Sequence, residues 1–113
     1  MFKVIDQFKR TIVLSKERYE HIIEHPEMIG QEDRIKETIA FPDTIKESKY
    51  DTAVFCYYRL YEKTPVTRKY LLCIVKILNG EGFIITAFYT DRIKEGKALW
   101  KRWRYGMMRK GTT

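Results

Sequence analysis

The spacing of hydrophobic residues predicts two short helices in the first part of the chain. Ser15 is a candidate N-cap, and apolar positions at helical spacing follow it as far as Glu24. Ile35 and Ile39 lie four residues apart in a second pattern, which predicts a helix over residues 31–40. Each helix would present one apolar side to the rest of the protein.

Three later segments are rich in β-branched and aromatic residues, and turn-prone sequences separate them. They cover residues 53–61, 69–78 and 82–90. This pattern predicts a three-stranded antiparallel meander. Residues 45–48 could add a fourth strand at an edge, and residues 11–14 form either a brief strand or a lead-in to the first helix.

A final helix is predicted from about Arg92 to Tyr105, with Asp91 as its N-cap. The expected fold class is therefore α+β: two N-terminal helices packed on a three- to four-stranded antiparallel sheet, with a basic C-terminal helix. The 113 residues fit a single domain over residues 1–113, with a basic C-terminal extension from about residue 100.

Alternation along the strands assigns side chains to two faces of the predicted sheet. The odd positions from Leu71 to Ile77 are uniformly apolar, which predicts that they face the core. The opposite face then gathers polar groups from all three strands, namely Tyr57, Arg59, Lys76 and Thr86. Turns centred near Pro65 and Gly80 would bring these groups close enough to bind one phosphate. A one-residue register slip would remove the cluster, and simple solvent-facing cations are the alternative interpretation.

The net charge of +7 is concentrated in the second half of the chain. Residues 1–50 carry 9 Lys and Arg against 10 Asp and Glu, whereas residues 51–113 carry 13 against 5. Eight of these cations follow Thr90, and Trp100, Trp103 and Tyr105 lie among them. A basic stripe with aromatic rings can neutralise phosphates and stack on bases. The alternative is a solvated helix face that keeps a small protein soluble.

His21 and His25 are the only histidines, and they lie four residues apart. The metalloprotease motif HExxH is absent because Ile22 occupies the glutamate position, and no Cys or third His completes a ligand set. No metal and no cofactor are therefore expected. Either histidine could act as an acid or base, or serve a structural role at the end of the first helix.

The cysteine content and hydropathy suggest a cytoplasmic protein. Cys56 and Cys73 are too few for a secreted disulfide framework, and both are expected to be small core residues. No apolar run approaches the length of a membrane span, and the N-terminus lacks the apolar region of a signal peptide. A membrane partner is not expected.

Several of these segments together resemble a phage-associated (PBECR-type) nuclease family of the barnase/EndoU/colicin/RelE-like (BECR) superfamily. The N-terminal part of the resemblance is carried by His21-Ile22, His25-Pro26-Glu27, residues 35–39, Pro42 and Ile45. The later part is carried by Tyr57-Tyr58-Arg59, Tyr70-Leu71, Val75-Lys76 and residues 83–89. The resemblance covers about residues 18–100, and the cationic tail after Trp100 has no match in it.

The resemblance implies N-terminal helices on a curved antiparallel sheet whose open face holds RNA. Members of the superfamily are metal-independent ribonucleases, and many are toxins that an antitoxin or immunity protein neutralises. Carried over residue by residue, the resemblance points to a catalytic set of His21, His25, Arg59, Lys76 and Thr86.

The expected function is a toxin-like, metal-independent endoribonuclease in which the RNA 2′-hydroxyl attacks the adjacent phosphorus, giving a 2′,3′-cyclic phosphate. One histidine would be the general base, Arg59 and Lys76 would hold the phosphate charge, and Thr86 would donate a hydrogen bond. The candidate substrate-binding residues are Tyr57, Trp100, Lys101, Arg102 and Arg104. The alternatives are a non-catalytic RNA-binding module and a phage accessory interaction protein.

Overall fold

Residues 1–102, which the computed structural model describes, form one seven-stranded mixed sheet with two α-helices and a short 3₁₀ helix at Pro26–Met28. The elements in chain order are β1 (Phe2–Ile5), β2 (Thr11–Leu14), α1 (Lys16–Ile22), α2 (Glu32–Ala40), β3 (Thr44–Glu47), β4 (Val54–Tyr61), β5 (Lys69–Leu78), β6 (Glu81–Thr90) and β7 (Ala98–Lys101). The strand order is β1-β2-β6-β5-β4-β3-β7. Strands β2 and β6 are parallel, and the other neighbouring pairs are antiparallel.

The predicted fold class is wrong in the size and pairing of the sheet and in its C-terminal helix. The sheet has seven strands and one parallel pair, where three or four antiparallel strands were expected. Residues 91–97 are irregular and residues 98–101 form β7, so no helix begins at Arg92. Gly96 lies near the centre of the expected helix, where glycine is unfavourable. Its backbone also lies so close to β3 that an added Cβ would be 3.0 Å from the Glu47 carbonyl oxygen. Residues 103–105 of the predicted helix lie outside the described residues.

Both N-terminal helices lie where the apolar spacing predicts them. The Ser15 side chain accepts a hydrogen bond from the Arg18 amide at 3.1 Å, so the N-cap prediction for α1 is confirmed. Helix α1 ends at Ile22, and α2 ends at Ala40 before Pro42. Neither helix is long and apolar enough to cross a membrane, and the same holds for every helix within residues 1–102.

The hydrophobic core lies between the two helices and one face of the sheet, here called the helix-covered face. The fully buried core residues include Ile12, Leu14, Ile22, Ile35, Ile39, Leu71, Cys73, Val75 and Ile84. The predicted core face of β5 is therefore confirmed. The other face carries no helix within the described residues and is called the open face below.

The predicted face of β4 is wrong because its register differs by one residue from the expected one. Tyr57 lies opposite Cys73, and Arg59 lies opposite Leu71, so both belong to the helix-covered face. The alternation of side chains along a strand means that a one-residue shift exchanges the two faces completely. On β6 the expected pairing of Thr86 with Ile74 is present.

Candidate functional site

The open face has an apolar centre that becomes polar toward β3. One cross-strand row consists of Phe88, Leu72, Tyr58 and Thr44, and the next consists of Thr86, Ile74, Cys56 and Lys46. Tyr58 and Leu72 are almost completely buried although no helix covers them. Another part of the chain must therefore shield them from water.

Residues 91–97, here called the strap, provide this cover as they connect β6 to β7. The Lys94 amide is 3.4 Å from the Tyr58 hydroxyl oxygen, which accepts its hydrogen bond. The Glu47 amide donates to the Lys97 carbonyl at 2.9 Å, and Lys46 Nζ reaches the Gly96 carbonyl at 3.5 Å. The strap is thus held against β3 and β4.

A hollow of about 710 Å³ is lined by residues of both the strap and the sheet. Its floor consists of Cys56, Tyr58, Leu72, Ile74 and Phe88, and its four basic lining residues are Lys46, Lys49, Arg92 and Lys94. Two acidic residues, Glu47 and Glu95, line it as well. Pockets for small ligands commonly have volumes of about 300–1,000 Å³, so this hollow is large enough for one ligand unit.

A second hollow of about 290 Å³ extends the first toward β7. The two hollows share Lys46 and Ile93, and the second adds Tyr70, Lys101 and Arg102. Together they form a continuous basic surface on the open face, here called the groove. Lys46 occupies its middle because it lines both parts.

Three of the basic groups in the larger hollow have no ion-pair partner among residues 1–102. Lys49 is 3.9 Å from Glu95, but within residues 1–102 no carboxylate lies within 4.0 Å of the charged groups of Lys46, Arg92 or Lys94. Their positive charge is thus available to an anionic ligand. In the smaller hollow, Arg102 is paired with Asp43 at 2.6 Å.

The floor of the hollow stays uncharged at neutral pH. Burial raises the pKa of the Cys56 thiol, although the charge of Lys94 acts in the opposite direction. Burial also raises the pKa of Tyr58, while the hydrogen bond from the Lys94 amide opposes the shift. Cys56 is therefore a protonated thiol and a poor nucleophile. The arrangement is suited to binding flat or apolar groups below a cationic rim.

An exposed aromatic ring lies at the mouth of the larger hollow. Tyr50 is 97% exposed and belongs to the lining residues. A ring that makes so few contacts within the protein can stack on a ligand without first breaking internal packing.

The two predicted catalytic histidines lie on the helix side of the sheet, away from the groove. His21 is on α1 with Nδ1 3.7 Å from Glu24 Oε1, and its side chain is 57% exposed. His25 is the N-cap of the 3₁₀ helix, where Nδ1 is 4.0 Å from Glu27 Oε1. Helix α1 packs on β6 through the core, so the sheet separates both imidazoles from the open face.

Tyr57 and Arg59 also point to the helix side. Tyr57 is fully buried and donates a hydrogen bond to Asp6 Oδ2 at 2.5 Å. Arg59 donates to the Phe41 carbonyl at 2.5 Å, and its Nε is 3.3 Å from Glu37 Oε1. Both side chains are thus engaged in contacts that connect the sheet to the turn after β1 and to α2.

Lys76 and Thr86 remain on the open face as predicted, but without Tyr57 and Arg59. Lys76 lies opposite Phe83 and Val54, and its Nζ is 2.5 Å from Asp51 Oδ2. Thr86 lies one row away, opposite Ile74. The predicted cluster of Tyr57, Arg59, Lys76 and Thr86 is therefore divided between two faces, and the single phosphate site that it would form is absent from the described residues.

The predicted substrate-binding residues at the C-terminal end are only partly assembled in the groove. Trp100 is on β7, where it lies opposite Ile45 of β3 and packs against the core. Lys101 and Arg102 line the smaller hollow. Arg104 lies outside the described residues.

Sequence reasoning missed Lys46 and Lys49 and misplaced Arg92 and Lys94. Arg92 and Lys94 belong to the basic stretch after Thr90, which was assigned to a helix. Lys46 and Lys49 lie in the half of the chain with a net negative charge, so the charge distribution gave no reason to select them. Only the pairing of β3 with β4 brings Lys46 beside Cys56 on the open face.

Comparison with protein-family models, with curated proteins and with solved structures finds no match for this chain. The resemblance to the BECR superfamily therefore remains a prediction from the residues quoted for it.

Proposed function

We propose that this protein binds single-stranded RNA in the groove of the open face. The observation that carries the proposal is the composition of the larger hollow, where an uncharged, largely apolar floor lies beneath four basic side chains. Nucleotides combine flat rings with anionic phosphates, and proteins that bind single strands hold them with aromatic and cationic groups. A basic surface without rings below it would favour polyanions of any kind.

The positions of the side chains suggest a role for each part of the groove. One base would lie on Ile74 and Phe88, the half-buried part of the floor that the strap leaves accessible, and a neighbouring base would stack on Tyr50 at the mouth. Lys46 and Lys94 would neutralise the phosphates between them. This chemistry is the reason for proposing a single-stranded nucleic acid as the ligand, while the choice of RNA over DNA rests on the BECR resemblance.

Cleavage of the bound RNA is a separate prediction. Attack by a 2′-hydroxyl needs a general base and phosphate-binding cations around one phosphorus atom. His21 and His25 lie on the helix side, whereas Lys76 and Thr86 lie on the open face. The geometry thus favours the non-catalytic alternative, and both the toxin activity and an antitoxin or immunity partner stay predictions.

Binding is tested by fluorescence anisotropy with a labelled RNA of about ten nucleotides, a length within the usual site sizes of single-strand binding domains. The double variant Lys46→Gln/Lys94→Gln removes two groove charges. If each of the two lysines contacts one phosphate, the slope of log affinity against log salt concentration becomes shallower by about 1.4 in the variant. The RNA affinity at 0.1 M salt then falls about tenfold or more.

The double variant Lys16→Gln/Lys63→Gln is the matched control. It lowers the net charge equally, but Lys16 is on α1 and Lys63 is in the loop after β4. We expect it to retain most of the affinity. Equal losses in the two variants, or no binding by the unaltered protein, would contradict the proposal. Electrophoresis of the same samples in EDTA shows whether the RNA is also cleaved.

A further inference from the structure

A second row of the open face, outside the groove, carries an exposed aromatic ring between two cations. Lys3, Val13, Phe83, Lys76 and Val54 lie opposite one another on β1, β2, β6, β5 and β4. Directly opposite residues in a sheet project from the same face, so these side chains form one line across five strands. Phe83 is 42% exposed at the centre of this line.

The charges in this row favour an anionic partner over an apolar one. Lys3 has no carboxylate within 4.0 Å among residues 1–102. Lys76 is paired with Asp51, and both side chains are partly exposed, so a phosphate would compete with the Asp51 carboxylate for Nζ. An aromatic ring between two cations matches the alternation of bases and phosphates along a nucleic-acid strand.

The row is continuous with the groove. Ile74 on the floor of the groove lies two residues from Lys76 on β5, which is about 7 Å along the strand. Phe83 on β6 is three strands away from Lys46 on β3, which is about 14 Å across the sheet. A strand of several nucleotides can therefore contact both places, whereas a dinucleotide is too short to do so.

We propose that Lys3, Phe83 and Lys76 form a second nucleotide-binding site, so that one RNA strand crosses the open face from the strap to β1. A base stacks on Phe83, and the flanking phosphates bind Lys3 and Lys76. The proposal rests on the function proposed above, because the strand reaches Phe83 from the groove. The second site defines a path for the bound RNA across the sheet and requires a strand longer than a dinucleotide.

The test compares a decanucleotide with a dinucleotide in Phe83→Ala, using anisotropy for the first ligand and an NMR titration for the second. Stacking on an aromatic side chain accounts for about fivefold or more in affinity. We expect Phe83→Ala to lose that factor for the decanucleotide and to bind the dinucleotide as the unaltered protein does. Lys3→Gln should make the salt slope for the decanucleotide shallower by about 0.7.

Phe41→Ala is the matched control, because Phe41 is also an exposed phenylalanine, at 62%, but follows α2 on the helix side. It should bind both ligands normally, and urea unfolding should confirm that both variants fold. If Phe83→Ala binds the decanucleotide normally, or loses both ligands equally, the second site is wrong while the groove can still bind RNA. If the unaltered protein binds neither ligand, the proposed function itself fails.

Discussion

At the scale of single residues, the buried carboxylate of Asp6 joins the turn after β1 to the core. Its Oδ1 accepts hydrogen bonds from the Phe8 and Arg10 amides, each at 2.9 Å, and its Oδ2 accepts from the Tyr57 hydroxyl. Arg10 Nε is 3.5 Å from Oδ2 as well. A buried charge is tolerated only when it is paired and hydrogen-bonded, so each of these partners stabilises the fold.

Tyr57→Phe should therefore destabilise the protein although it removes a single oxygen atom. Burial and the hydrogen bond to Asp6 both raise the Tyr57 pKa, so the hydroxyl stays protonated as a donor. Removing a hydrogen bond to a charged group costs about 1.5–3 kcal/mol, which urea unfolding can measure. Tyr50→Phe, at an exposed position, should leave the unfolding free energy unchanged. Equal stability of Tyr57→Phe and the unaltered protein would mean that the Asp6 contact is energetically neutral.

Asp51 provides a pH-dependent prediction on the open face. The hydrogen bond from Lys76 is the largest cause that lowers the Asp51 pKa below its ordinary value of 3.8. A lowered folded-state pKa means that this carboxylate stabilises the fold above pH 3.8 and loses the effect as the pH falls through the lowered pKa. In Lys76→Met, an NMR titration should show the Asp51 pKa moving up toward 3.8.

Asp91 is the internal control for this titration. Lys69 lowers the pKa of Asp91 in the same way, but on a different part of the sheet. The Asp91 pKa should therefore be the same in Lys76→Met as in the unaltered protein. A parallel shift at both carboxylates would indicate a general change in charge, and no shift at Asp51 would show that its partner is not Lys76.

At the scale of secondary-structure elements, the contact between the parallel strands β2 and β6 depends on Gly82. Ile12 lies opposite Gly82, and an added Cβ would be 2.9 Å from Val75 Cγ1 and closer still to Ile12 Cδ1. Ile12 and Val75 are fully buried, so neither side chain can move away easily. Close approach of the strands requires a residue without a side chain here.

Gly82→Ala should accordingly destabilise the fold by about 1–3 kcal/mol through overpacking. Ile12→Val removes the Cδ1 atom nearest to the added methyl group. In urea unfolding, the double variant should be more stable than the sum of the two single effects indicates, because each substitution relieves the other. Additive effects would show that the strain at Gly82 arises elsewhere. Glu81→Ala, an exposed change in the same strand, should have little effect.

Element positions were easier to predict from the sequence than their pairing. The strand predicted over residues 69–78 matches β5, because turn-prone residues bound its continuous run of apolar and β-branched residues on both sides. The face of β4 was wrong because both of its sides contain large side chains, and its register depends on the loop from residue 62 to 68. Strand β7 was missed because its four residues lie inside the helix predicted from Arg92, and β1 was missed although β2 and β3, which are equally short, were indicated.

At the scale of the whole molecule, the sheet separates two different chemical environments. The helix side contains both histidines and the contacts of Arg59 with α2, whereas the open face contains the strap and the basic residues of the groove. A sequence can indicate that a segment is basic, as it did for Arg92 and Lys94. It could not place Lys46 beside them, because that contact depends on the arrangement of β3, β7 and the strap.

This separation predicts that His21→Gln/His25→Gln leaves RNA affinity unchanged. The groove lies on the opposite face, and the net charge with neutral histidines is the same in the variant. Anisotropy with the decanucleotide in EDTA at pH 7.5 measures this affinity. Lys46→Gln/Lys94→Gln serves as the comparison that should weaken it.

The histidine variant, compared with substitutions of Lys76 and Thr86, locates any cleavage activity. If the protein cleaves RNA in EDTA and only the histidine variant loses the activity, the reaction occurs on the helix side and does not depend on the groove. If cleavage instead depends on Lys76 or Thr86, the reaction occurs on the open face without a histidine base, and another group must accept the 2′-proton. A loss of RNA affinity in the histidine variant would contradict the division of the two faces, because the helix side would then belong to the binding surface.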